Sequence, residues 1–100
     1  MLKSNTLEHY RKELAFIDEQ LITLIYERNR ISEEIGKIKF AKKAKIKQPE
    51  VWNLHSEIRN SKTREMNLNE KSMNKIFKSI HKESIKIQKD VFKELKKNGK

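Results

Sequence analysis

One hundred residues suffice for a single folded domain and no more. With 24 Lys plus Arg against 14 Asp plus Glu the chain carries a net charge of +10, which favours an anionic partner: a nucleic acid, an acidic membrane surface or a small polyanionic metabolite. The lack of cysteine excludes disulfides, thiolate zinc sites and a cysteine nucleophile.

No apolar run approaches the ~20 residues of a membrane span. The first residues, MLKSNTLEHYRK, offer no apolar core for a signal peptide, so a cytoplasmic protein is expected. Gly36, Gly99 and Pro49 are the only glycines and proline, strand-like alternation is missing, and apolar residues recur at helical spacing. From Leu7 the stripe runs Tyr10, Leu14, Ile17, Leu21, Leu24, then Arg28, then Ile31, Ile35 and Ile38. Steps of three and four alternate throughout, a heptad seam. Asn5 or Thr6 is placed to cap its start, with Glu8 in the first turn. Gly36 within the pattern costs about 1 kcal/mol relative to alanine.

The predicted helix, from about Thr6 to Ala41, would be roughly 50 Å long at about 1.5 Å per residue. A compact domain of this size has a radius of gyration near ~13 Å. The helix therefore overhangs anything its own chain can fold against it, and a partner subunit is expected. A chain this short buries only about 60–65% of its unfolded surface, so association adds to its stability.

A Lys-rich segment from Ala41 to Gln48 ends at Pro49, which disfavours helix at Gln48 and opens a second helix at its first position. That helix is expected to turn Val51, Leu54, His55 and Ile58 inward and to fade near Arg64. Asn67–Asn69 reads as a turn with Asn69 as N-cap. A third helix follows, with Met73, Phe77, Ile80, Ser84, Ile87, Val91 and Leu95 on one stripe. The expected architecture is all-α, long helix, short helix, long helix, with one domain over residues 1–95 and a frayed basic tail over 96–100.

Polar residues on these stripes are the candidate site. Arg28 occupies a seam position among Leu and Ile, and a buried guanidinium without a partner is strongly unfavourable. Either its stem snorkels to the surface or it meets a partner acid such as Glu34 elsewhere in the dimer, or it lines an internal cavity and binds a carboxylate. Ser84 lies on the third stripe and Gln88 one turn on, facing the same way. Each is either a satisfied core polar group or a ligand contact. Lys39 lies 11 residues from Arg28, ~16 Å of rise at nearly the same azimuth, so both can reach one ligand between them. Arg11 is ~42 Å from Lys39 along the same helix. If both serve one site, they come from two chains.

His9, His55 and His81 lack metal-ligand spacing and read as surface or helix-face residues, and no metal site is expected. No phosphate-binding glycine loop and no nucleophile elbow are present. The six lysines from Lys37 to Lys47 form a solvated face or a field that steers an anionic ligand. They are not interleaved with aromatics and no recognition module is visible, which weighs against a nucleic-acid binder.

The segments LEHYRKEL, with Leu7 and Arg11, and FIDEQLITLIYERNRI, with Ile17, Asp18 and Arg28, come first in order. EIGKIKF, with Gly36 and Lys39, and IFKSIHKESIKIQ, with Phe77, Ser84 and Gln88, follow. In order and spacing they resemble the all-α chorismate mutases over roughly Leu7 to Gln88. The resemblance implies an intertwined homodimer of three-helix chains with two sites, each built from both chains. It implies an intramolecular [3,3] rearrangement of chorismate to prephenate, in aromatic amino-acid or related secondary metabolism, with no cofactor and no covalent intermediate.

By the same resemblance, Arg11 of one chain and Arg28 of the other hold the two carboxylates of the substrate. Lys39 and Gln88 donate to the ether oxygen, and Ser84 supports the ring-side carboxylate region. Gln48, Val51 and Trp52 fall where the start of helix two meets the substrate. There the family carries an acidic or polar residue and, three residues later, an Arg-Glu pair, whereas this chain has Gln48 and then Val51 and Trp52. Glu50, Arg59 and Lys47 are candidates to compensate, and spacing does not assign them. The departure keeps open an isochorismate pyruvate-lyase or an amino-deoxychorismate mutase on the same scaffold, or a weakly active regulatory paralogue.

Overall fold

The computed structural model of the chain describes residues 6–99. Three helices, α1 (Leu7–Ala41), α2 (Pro49–Glu65) and α3 (Glu70–Asn98), hold most of them, and no strand occurs among the described residues. The long, short, long pattern is the expected one.

Local chemistry sets each boundary. Asn5 lies outside the described residues, and the N-cap of α1 is Thr6, whose Oγ1 accepts the His9 N–H at 3.1 Å. The helix ends in a tight turn in which Ala44 N–H donates to Lys39 O at 2.8 Å and Lys43 takes the left-handed conformation (φ 56°). Pro49 opens α2, where the lack of a backbone N–H costs nothing. The turn into α3 places Asn67 at φ 58°, a conformation asparagine tolerates, and Asn69 Oδ1 accepts the Ser72 N–H at 2.8 Å. α3 continues past the expected boundary at residue 95 to Asn98. Lys96 and Lys97 in its last turn meet the negative end of the helix dipole, and Gly99 N–H closes on Leu95 O at 2.9 Å.

The C-terminal half of α1 lies against α3. Ser32 Oγ and Ser84 Oγ are 2.6 Å apart, Gly36 faces Gln88 and Val91, and the rings of Phe40 and Phe92 meet edge-on at 5.3 Å. Successive turns of one helix thus meet successive turns of the other, so the two run parallel. α2 returns antiparallel, with Trp52 against His81 and Arg59 against Phe77. α1 and α2 both approach α3 but not each other, which leaves a cleft between them.

The expected inward face of α2 is corrected by the structure. Trp52, Ser56, Arg59 and Thr63 turn toward α3, while Val51, Leu54, His55 and Ile58 stay exposed. The physical reason is that α2 carries two stripes. Trp52 and Arg59 find ring partners on α3, and the aliphatic stripe is left for another surface.

Little apolar area is covered within one chain. Ile85 is the only buried hydrophobic residue among the described residues, beside the buried polar residues Ser32, Thr63, Ser84 and Gln88. Every residue from Tyr10 to Arg28 is exposed, including the seam residues Leu14, Ile17, Leu21 and Leu24. The chain is 68 Å long with a radius of gyration of 18.3 Å, against ~13 Å for a compact domain of this length. Among the described residues no helix is long and apolar enough to cross a membrane.

α1 and α3 approach closely at Gly36. A Cβ there would stand 3.3 Å from both Gln88 Cα and Val91 Cβ, and Gln88 backbone cannot swing aside as a flexible side chain could. The crowding costs about 1–3 kcal/mol, against the gain of about 1 kcal/mol that alanine brings to a helix. Gly36→Ala is therefore expected to lower stability, by up to about 2 kcal/mol. Urea denaturation of the two proteins checks this; a more stable variant would show that α3 yields freely.

Candidate active site

The cleft between α1 and α2, floored by α3, has a volume of about 310 Å³. Arg28 and Lys39 line it from α1, Gln48, Val51 and Trp52 from the start of α2, and Ser84 and Gln88 from α3. Seven of the eight residues singled out in the sequence thus meet in one hollow. Arg11 does not line it. It lies exposed on the bare part of α1, ~42 Å of helix from Lys39.

The polar floor is a connected chain of hydrogen bonds. Lys39 Nζ donates to Ile46 O at 2.6 Å and to Gln88 Oε1 at 2.9 Å. Gln88 Nε2 donates to Ser84 Oγ at 3.2 Å, and Ser84 Oγ pairs with Ser32 Oγ. This leaves one ammonium proton of Lys39 and one amide proton of Gln88 without a protein acceptor among the described residues. Both belong to side chains that line the cleft, so both are donors for a ligand. Burial holds the Lys39 pKa below its ordinary value.

The cleft is cationic without compensation. Arg28, Lys39 and Arg59 line it and no Asp or Glu does. None of the three has a carboxylate within 4.0 Å among the described residues; the ion pairs formed there join other side chains. Within the chain, Glu34 pairs with Lys37 at 3.1 Å. Three cations facing one hollow repel each other, and an anion in the hollow relieves that repulsion.

Two contributors were not assigned from sequence. His81, read as a surface or helix-face residue, is half-buried and packs at a tilt against Trp52 with ring centroids 4.2 Å apart. Its pKa is lowered, first by burial and then by the charges of Arg28, Arg59, Lys39 and Lys47. Arg59 enters the cleft because it lies seven residues after Trp52, on the same helix face. That shared face was the available signal, though it needs α3 to give it a direction.

Across the Trp52–His81 pair lies a wider hollow of about 840 Å³, lined among others by Lys47, Lys78, Lys82, Lys86 and Lys89. Lys86 pairs with Asp90 at 3.3 Å. These side chains add to the positive field around the cleft.

An acid-free cleft with three cations and a Lys-Gln-Ser floor has the charge and donors to suit a small polyanion. The chorismate mutase type II family model matches residues 10–89, and the chain belongs to that family. No curated protein and no solved structure matches it.

The electrostatics of His81 give a measurable sign. A folded-state pKa below 6.5 means that the unfolded chain takes up the proton first. This group's contribution therefore weakens the fold as pH falls through the unfolded value near ~6.5. The His81 imidazole should titrate below that value by NMR, and Arg59→Met, which removes one neighbouring charge, should raise its midpoint. An unshifted midpoint would contradict the clustering of cations.

Proposed function

We propose that the protein is a chorismate mutase that works as a homodimer, rearranging chorismate to prephenate in a site that two chains share. The observation that carries this reading is the meeting of Arg28, Lys39, Ser84 and Gln88 in one cleft lined by no acidic side chain. A single chain supplies the ether-facing donors and one carboxylate-binding arginine. The partner subunit's Arg11 supplies the second arginine, because Arg11 cannot reach the cleft of its own chain. The exposed seam of α1 and the exposed aliphatic stripe of α2 support the dimer. Residues up to about 95 form its single catalytic domain.

The mechanism uses binding and charge alone. Arg28 and the partner subunit's Arg11 fix the two carboxylates, which holds the enolpyruvyl arm folded over the ring and removes most of the entropic barrier. As the ether bond breaks, negative charge grows on its oxygen. The remaining proton of Lys39 and that of the Gln88 amide donate to this oxygen, with Ser84 holding the amide in place. The donors are pre-oriented by Ile46 O and Ser84, so little reorganisation accompanies the step.

One observation favours a second reading. Trp52 packs against His81 where the family resemblance leads one to expect a glutamate for the ring hydroxyl, and no other acid lines the cleft. A site retuned at the ring substituent would act as an isochorismate pyruvate-lyase or an amino-deoxychorismate mutase. Incubation with chorismate, isochorismate and amino-deoxychorismate separately, followed by product identification, decides between them. Prephenate from chorismate is expected; no product from any of the three would reject an active enzyme.

Arg28→Ala and Lys39→Ala should each lower activity on the order of 10²-fold with helicity near wild type. Unfolding of both variants would instead make these residues structural. Sedimentation at micromolar concentration should show a dimer, and a stable compact monomer would oppose the shared site. Mixing Arg11→Ala with Lys39→Ala, each inactive alone, should restore activity after subunit exchange, because one of the two sites in the heterodimer is then intact. Continued inactivity, with exchange verified, would place Arg11 outside the site.

A further inference from the structure

We propose that Arg59 is a carboxylate-binding residue of the cleft, held against the rings of Trp52 and Phe77. Nothing in the sequence pattern assigned it. This rests on the reading of the cleft as the substrate site.

The Arg59 guanidinium lies against two aromatic rings and lines the cleft. The Arg59 guanidinium carbon lies 4.7 Å from the Trp52 ring centroid and 4.8 Å from that of Phe77. The two rings restrict the rotation that a long side chain would otherwise keep. Of its five N–H donors, one Nη2 hydrogen meets Ser56 Oγ at 3.1 Å. Nε is buried without a hydrogen-bond partner among the described residues. No carboxylate lies within 4.0 Å among the described residues.

A buried, unpaired donor on a charged group is costly, and such groups normally find an acceptor. Arg59 is part of the cleft wall with Arg28 and Lys39, and its Nη hydrogens, only one of which has a protein acceptor among the described residues, are the donors offered to a ligand. A guanidinium fork matches the two oxygens of a carboxylate in geometry as well as charge. The ligand class is therefore a small dicarboxylate with one acidic group directed toward α2. Trp52 acts here as a support for the arginine. It is a positioning residue, and Trp52→Glu would remove one of the two rings.

Trp52 is also the only tryptophan, so its fluorescence reports ligand arrival beside Arg59. Chorismate is the probe in two arms: turnover gives KM and kcat, and rapid-mixing fluorescence gives binding whether or not turnover follows. The variants are Arg59→Met, which keeps the apolar stem against the rings, Arg59→Lys, which keeps a charge without the fork, and Arg28→Ala as a reference. Arg59→Met should weaken binding roughly 10- to 100-fold, as KM and as fluorescence Kd, with a smaller change in kcat. Arg59→Lys should recover only part, and circular dichroism and urea midpoints should stay near wild type.

Unchanged binding in Arg59→Met, with binding lost in Arg28→Ala, overturns the role of Arg59 and leaves the proposed reaction standing. Wild-type protein that binds chorismate without converting it, and loses that binding in Arg59→Met, rejects the reaction and upholds Arg59. Wild-type protein that neither binds nor converts chorismate overturns both. If Arg59→Met fails to fold, Arg59→Lys decides: weakened binding at wild-type stability supports the fork, and unchanged binding rejects it.

Discussion

The pairing of α1 with α3 is the constraint on which the remaining structure depends. Ser32 and Gly36 on one helix, facing Ser84 and Gln88 on the other, let the two backbones come close enough for short side chains to bridge them. That proximity brings Lys39 within 2.9 Å of Gln88 Oε1 and so creates the polar floor of the cleft. Larger residues at these positions would separate the helices and break the hydrogen-bond chain, because close-packed contacts leave no slack for an added methyl group. The seam is polar where an ordinary helix pair is apolar. Buried hydroxyls and amides of this kind are tolerable only when satisfied, and here each one bonds to the next.

The same packing concentrates positive charge. Arg28, Lys39 and Arg59 come from different turns and different helices, and α3 holds them around one hollow without an acid to balance them. Burial lowers the pKa of Lys39, and burial with the Arg28 charge lowers that of Arg59. A fold selected for stability alone would place carboxylates there. In the proposed reading the counter-charge arrives with the ligand, and the outer lysines of α3 add to the positive field that would attract it.

Stability and site are linked through the exposed apolar surface as well. With Ile85 the sole buried hydrophobic residue among those described, one chain has little with which to offset its conformational entropy. The uncovered residues form continuous stripes, on α1 from Leu14 to Leu24 and on α2 at Val51, Leu54 and Ile58. Arg11 lies on the bare stretch of α1. In the proposed dimer, covering that stretch and delivering Arg11 to a cleft would be the same event.

Most of the secondary structure was legible in the sequence, because helix periodicity and capping are local. The alternating steps from Leu7 to Ile38, Pro49 as a helix opener and Asn69 as a cap each depend on residues only a few positions apart. The common azimuth of Arg28 with Lys39, and of Ser84 with Gln88, was legible for the same reason, as was the resemblance that joined them. The sequence could not orient α2, since a helix with two usable stripes is turned by its neighbour, and the rings of α3 selected Trp52 and Arg59 over Val51 and Ile58. Nor could it show what surrounds Arg28 within the chain. There, no carboxylate lies within 4.0 Å of Arg28 among the described residues, and Glu34 pairs with Lys37 three residues away. Spacing fixes which residues share a face; only the packing of one helix on another determines what that face meets.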